Sequence, residues 1–419
     1  MFLLFPLLLL LLFTPLPLNA DCPPPPPLAP RATKLRIESL TGKVTATELA
    51  NFAGFVRQLT LPKTALENVI ADGFSGRNIQ AMGMVYELSR DPQLLDTMIA
   101  NADAMLKLRN DPNKGRVMWT GKRDLVWITE PERDIHAGYA GAENGDTIGH
   151  IAYTAKLILE NPCLLNRTVT IGNKYGFGKT YYDRAHTYIY ELERTMDTYI
   201  IPWFINNNTL TEIYPKNVRF PTTDIDTHFG GPLPWNQMMM LNNGLQRLAE
   251  AHELLGDNPE KVSYYDSLVN RSIHYMTDHF LKRTSRGHDT YLILYLAEQR
   301  FRPKGSSVST HGELTEIHLL YDVWGLIRGY HRANNKYGIS KDLLTRVANT
   351  ISYSLVHRDG KFGAYCDGTG SVHHLPGPYL LYSEFNSDGY LSLAKVMAKH
   401  QALDVASVLY MKSRLHLQH

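Results

Sequence analysis

The sequence predicts an all-α protein, an (α/α) toroid in which about six to seven helical hairpins form an incomplete or closed barrel of inner and outer helices. Three observations predict it. Apolar residues recur at three- and four-residue intervals, as in Ile79, Met82, Met84, Val85 and Leu88, or Leu241, Leu245, Leu248 and Leu255, while period-two alternation is scarce. Amphipathic stretches meet at Asx-Pro pairs, Asp91-Pro92, Asn161-Pro162 and Asn258-Pro259, where the Asx side chain caps free N–H groups and proline at the first helical position loses nothing. The segments between hairpins are long, carry Gly and Pro and keep no fixed period, which suits loops over one end of a ring better than a short-linked bundle or a solenoid.

Taken in order, residues 1–20 read as a signal peptide. They are almost wholly Leu, Phe and Pro and end in the small residue Ala20; Pro6, Pro15 and Pro17 argue against the alternative of an uncleaved anchor, which the missing basic start leaves open. Residues 21–32 form a proline-rich, extended stalk, and 33–419 form a single toroid domain. Its first helices are expected over 77–89, 144–160, 236–255 and 314–334. The last of these reaches a partner at 340–356 capped by Ser340, and a final pair spans 385–415.

The 43 basic and 41 acidic side chains nearly cancel, so neither nucleic acid nor an anionic membrane is expected as a partner, and after leader cleavage no other segment spans a bilayer. Three N-x-Ser/Thr sequons, at Asn166, Asn207 and Asn270, fit a secreted, extracellular glycoprotein. Oxidising export permits a Cys163–Cys366 bridge and leaves Cys22 over, although spacing alone does not fix the connectivity. No Cys/His spacing resembles a zinc site, so neither metal nor cofactor is expected.

Four segments hold candidate chemistry. The loop 220–237 delivers Trp235, Asn236 and Gln237 to a helix start, where amides and free N–H groups suit a carboxylate; the structural alternative is a cap and a staple. The segment from Lys282 to Lys304 is locally basic and places Tyr291 and Tyr295 four apart on one helical face. Arg286 beside such a phenol would favour the phenolate, and the alternative is a packed aromatic pair under a solvated rim. His311, before Gly312, leads into the 314–334 helix and is either a groove histidine or a satisfied structural one. Glu143, Asn144 and His150 begin another inner helix as a possible carboxylate-neutralising element or as caps.

At these residues the chain resembles the (α/α) toroid polysaccharide lyases, in particular the alginate and glucuronan lyases of polysaccharide lyase family thirty-eight. Pro234-Trp-Asn-Gln, Tyr291-x-x-x-Tyr295 and Thr310-His-Gly312 carry the likeness over roughly 220–335. The resemblance implies β-elimination on an acidic polysaccharide without a cofactor. Asn236 and Arg286 would neutralise the uronate carboxylate with help from Gln237, and Tyr291 and His311 would transfer protons. Trp235, His228, Tyr295, Glu143, Asn144 and His150 would hold substrate. Gln237 stands where the family pattern leads one to expect histidine, and Ser307 and Val308 where it leads one to expect acids; His228 is the nearby imidazole.

Two other readings use the same scaffold. A glycoside hydrolase would need paired carboxyls, for which Asp224 or Asp226 with Glu313 or Glu316 are available. A non-catalytic glycan-binding toroid would explain the departures at Gln237 and Ser307.

Overall fold

This computed structural model describes residues 27–65, 73–129, 138–216, 230–297 and 310–416 of the chain. The expected leader, Cys22 with the first half of the stalk, and His228, Asp224, Asp226, Arg300, Arg302, Lys304, Ser307 and Val308 lie outside the described residues.

The helices come in hairpins. After α1 (Ala46–Val56), α2 (Phe74–Ser89) stops at Arg90, which takes a left-handed φ of +53°. α3 (Pro92–Lys107) follows at once: the Asp91 carboxylate accepts the Gln93 N–H at 2.9 Å and Pro92 occupies the first turn. α4 (Asn144–Leu159) pairs with α5 (Tyr181–Thr195), which is prolonged by a π-helical turn at Met196–Ile200 and by Ile201–Phe204. A minimal antiparallel pair, β1 (Ile205–Asn206) and β2 (Thr211–Glu212), precedes α6 (Trp235–Leu255) and α7 (Pro259–Thr277). A hairpin of β3 (Leu281–Ser285) and β4 (His288–Leu292) leads towards α8 (His318–His331) and α9 (Lys341–Asn349). The chain ends in a 3₁₀ segment, Gly377–Glu384, then α10 (Tyr390–Met397) and α11 (Ala402–His416).

The packing closes a ring. α2, α4, α6, α8, the 3₁₀ segment and α11 touch one another in that order, and α11 returns to α2. α3, α5, α7, α9 and α10 lie outside this inner layer, and α1 packs on α2 and α3. The architecture is therefore an all-α toroid, with the small β pairs as decoration. Burial separates the layers: nearly every residue of α4 is buried, as is α6 from Trp235 to His252 apart from Gln237, whereas α5 and α7 hide one face only. At the α4–α6 crossing, glycine lets the backbones approach. A Cβ on Gly145 would stand 2.4 Å from Leu241 Cα, and one on Gly149 2.3 Å from Asn243 Cγ.

Several expectations are corrected. Asn161-Pro162 starts no helix; the chain runs in turns to a capping box at Thr180, and the Asn161 amide donates to the Tyr86 hydroxyl at 2.9 Å. Asn258 precedes α7 in a left-handed conformation (φ +46°) without a side-chain cap. The Cys163–Cys366 bridge is not made, because Cys163 is disulfide-bonded while Cys366 is a free, buried thiol. Tyr291 lies on a strand, so it shares no helical face with Tyr295.

Candidate functional site

The inner helices carry polar side chains in stripes: Asp146, His150 and Tyr153 on α4, Asn243, Arg247 and Glu250 on α6, Trp324 and Arg328 on α8. Intervals of three and four place each stripe on one helical face, and in a closed ring that face is the lumen. In the N-terminal half of α4 the stripes meet in a polar plug. Asn243 donates to Asp146 at 2.8 Å, Asp146 pairs with His150 Nε2 at 3.0 Å, and the His150 ring lies 6.2 Å from that of Trp324. Burial pushes the Asp146 carboxyl up, but His150, Arg328 and Asn243 more than offset it, so the group is held below its ordinary value.

Towards the C-terminal ends of the inner helices the lumen opens into a cavity of about 290 Å³ to which all six inner elements contribute. Glu87 of α2, Glu250 of α6 and Glu384 of the 3₁₀ segment bring carboxyls to it, and Tyr153, Trp324 and Tyr410 bring aromatic rings. Glu250 accepts from Arg247 at 2.7 Å and from Gln246 at 3.1 Å, with Lys156 at 3.5 Å. Burial alone would raise it, yet the two cations carry it down to about 2. Glu384 is likewise held low, because His331 and Arg414 together outweigh its burial. Glu87 accepts the Tyr153 hydroxyl at 2.6 Å and, among the described residues, is the lumen carboxyl that no cation pairs. Arg328 is desolvated and faces Arg247, which together take its guanidinium down to about 10.

The residues singled out in the sequence divide into separate places. Asn236, Gln237, Trp235 and Tyr295 gather at the heads of α6 and α8. The Trp235 N–H reaches the Tyr295 carbonyl at 3.5 Å, the Tyr295 ring lies 5.0 Å from His318, and Gln237 hydrogen-bonds the phenol of Tyr214. Glu143 is close by, since its charge acts on Tyr214, but its carboxylate is occupied by the Thr129 hydroxyl at 2.5 Å and the Gly141 N–H at 3.0 Å. Trp235 is a core residue, packed edge-on against Tyr275. Asn236 is buried with its Oδ1 unpartnered. Asn144 clamps the Trp127 backbone through both amide atoms, at 2.8 and 3.0 Å, and His150 belongs to the lumen plug; both are structural.

Arg286 and Tyr291 are elsewhere, on the outer β-hairpin. Arg286 sits in its turn and donates to the Val356 carbonyl at 2.9 Å. Tyr291 packs on Phe280 with ring centroids 5.4 Å apart. Burial and the carboxylates of Asp342 and Asp289 outweigh Arg346 and raise its phenol, the wrong direction for a base. His311 is half-buried in a separate loop, its Nδ1 2.8 Å from Asp367. The constellation needed for β-elimination is not assembled.

Comparison with protein-family models finds none that matches, and no curated protein matches the chain. Among solved structures the chain is similar to a family 76 glycoside hydrolase from a bovine Bacteroides thetaiotaomicron strain, at 12% identity and a TM-score of 0.39, over 80% of this chain and 54% of that one. It is also similar to a family 76 mannosidase from Bacteroides thetaiotaomicron VPI-5482, at 10% identity and a TM-score of 0.40, over 80% of this chain and 68% of that one. This chain thus spans little more than half the length of the first. Both are named hydrolases. The expected lyase, with its alginate and glucuronan substrates, is corrected on the geometry: Arg286 and Tyr291 lie on the outer hairpin, away from Asn236 and His311.

Apart from His150, the lumen residues are not among those the sequence singles out, because the apolar period of a buried helix hides its polar positions. The available signal was the reverse: polar residues at helical spacing inside otherwise apolar helices, as in Asp146-x-x-x-His150-x-x-Tyr153 and Asn243-x-x-x-Arg247-x-x-Glu250.

Proposed function

We propose that this chain is a glycan-processing enzyme that hydrolyses glycosidic bonds, with the sugar chain entering the lumen. The observation that carries this reading is the set of carboxyls, Glu87, Glu250 and Glu384, brought by three inner elements to one cavity beside Trp324, Tyr153 and Tyr410. Aromatic faces pack on sugar rings, and hydrolysis needs two carboxyls facing each other across the bond, about 5–10 Å apart. Glu250, held ionised by Arg247 and Lys156, takes the part of base or nucleophile. Glu87, which accepts the Tyr153 hydroxyl, takes that of the acid.

The test is a panel of neutral and acidic polysaccharides, with reducing ends and near-ultraviolet absorbance followed together. Hydrolysis gives reducing ends without absorbance, and Glu250→Gln and Glu87→Gln each lose about 10²–10⁴-fold while near-ultraviolet circular dichroism stays unchanged. Reducing ends from no polysaccharide, or full activity in either variant, would reject the reading.

Export belongs to the same proposal. Asn166, Asn207 and Asn270 are all exposed and outside the inner ring, and a disulfide at Cys163 suits an oxidising compartment. Expressed through a eukaryotic secretory route, Asn166→Gln, Asn207→Gln and Asn270→Gln should each remove one glycan's mass. A chain that stays inside the cell unglycosylated contradicts this part.

A further inference from the structure

Away from the lumen, three side chains far apart in sequence converge where the loop before the 3₁₀ segment meets the start of α11. His374 Nε2 and His400 Nδ1 approach the same oxygen, Asp404 Oδ2, at 3.0 and 2.8 Å. The two imidazoles stack with centroids 3.9 Å apart and planes 26° from parallel, and the three potential ligand atoms all lie within 4.8 Å of one another. The carboxylate cannot easily swing away: Gly377 N–H donates to its Oδ1 at 2.7 Å and Gln401 N–H to Oδ2 at 3.3 Å.

We infer that this is a binding site for a divalent transition metal of the zinc class. Two imidazole nitrogens and one carboxylate oxygen form the borderline donor set that suits zinc and its late first-row neighbours; calcium and magnesium want oxygen donors throughout. Each imidazole nitrogen stands about 3 Å from the carboxylate oxygen and the two nitrogens lie within 4.8 Å of each other, so an ion with bonds of about 2.1 Å is admitted by side-chain shifts alone. The backbone N–H on Oδ1 is the outer hydrogen bond that orients a ligating carboxylate.

Access is graded. Asp404 is 3% exposed, His374 20% and His400 42%, so the ion enters from the His400 side. On that side His400 borders a groove of about 680 Å³ that also runs past Phe55, Leu61, Phe74 and Arg77. Three protein ligands leave a fourth position open towards this groove, for water or for an oxygen of a small molecule. The site has no short Cys/His motif to mark it: His374 and His400 are 26 positions apart, with only the i, i+4 pair of His400 and Asp404 close together.

The experiment uses the full secreted glycoprotein, stripped with a chelator, dialysed and titrated with zinc chloride by calorimetry, with calcium chloride as the control ion. The site takes one equivalent of zinc with micromolar or tighter affinity and no calcium. His400→Gln, at a surface position, and His374→Gln each weaken zinc by at least about tenfold, and zinc raises the thermal midpoint of the wild type but not of these variants. Absence of saturable one-equivalent binding, equal binding of calcium, or unchanged zinc affinity in the His374→Gln/His400→Gln double variant overturns the inference. The cluster is then only a pair of histidines hydrogen-bonded to a carboxylate.

Discussion

Lys412 and Glu48 form an ion pair across 364 residues of sequence, tying α11 to α1. Both side chains are essentially buried, at 1% and 0% exposure, and the ammonium lies 2.8 Å from each carboxylate oxygen. Glu48 also accepts the N–H groups of Glu38 and Thr45 at 2.9 Å, so it is simultaneously the N3 partner of Thr45 in the capping box of α1. Lys412→Met keeps most of the side-chain volume and removes the charge, leaving a buried carboxylate with two backbone donors but no cation. Removing one partner of such a pair costs about 3–5 kcal/mol, and that is the expected loss in urea denaturation at pH 7. Glu48→Gln/Lys412→Met should recover about 0.5–3 kcal/mol relative to the sum of the single changes, since the two positions act on one interaction. The pH dependence carries a sign. Burial raises the Glu48 carboxyl, but Lys412 and the two N–H donors outweigh it and hold its folded value below the ordinary 4.5. The stabilisation is therefore present above that value and lost as pH falls through the depressed folded one, so wild type and Lys412→Met converge in acid. A loss under about 1 kcal/mol at pH 7, or a gap that stays constant down to pH 3, would refute this account.

Two further perturbations test the packing. Gly145→Ala drives a methyl group into the Leu241 backbone, which cannot move without shifting α6; a loss of about 1–3 kcal/mol is expected despite alanine's better helix propensity, and an unchanged urea midpoint would count against the close crossing. At the start of α8, Glu313 and Asp322 share a buried site, where burial takes Asp322 from 3.8 up to about 7 and burial with the neighbouring acid raises Glu313 as well. The folded state keeps a proton there that the unfolded chain releases between about pH 4 and 7, so stability falls as pH rises through that window. Asp322→Asn removes the penalty and should gain on wild type by about 2–3 kcal/mol between pH 5 and pH 8. An identical difference at both pH values contradicts the shared-proton picture.

The helical architecture was legible where local chemistry decides it. Asp91-Pro92 and Ser340 cap the helices they were expected to cap, and the inner helices at 74–89, 144–159 and 235–255 fall within a few residues of their expected ranges. Asn161-Pro162 misled because an Asx-Pro pair fits a turn as readily as a helix start, and here the side chain found Tyr86 instead of a backbone N–H. The hairpin at 281–292 was legible in principle. Arg286 and Gly287 both take positive φ, at +49° and +83°, as a two-residue turn demands, and they stand between Thr- and Tyr-bearing runs. Reading those runs as helix put Tyr291 beside Tyr295 and Arg286 beside both. The candidate site was not legible, since which polar stripe meets which is fixed only when the ring closes: Asn243 reaches Asp146 across 97 residues, and Glu384 enters the cavity from a segment with no helical period of its own.

The meeting of α11 with α2 has a consequence for how the molecule is made. The inner layer is incomplete until residues 402–416 have been synthesised, so α2, among the first helices to emerge, must wait with its apolar flank uncovered for nearly the whole of translation. Contacts of such long sequence separation form slowly, and the waiting surface is an aggregation hazard.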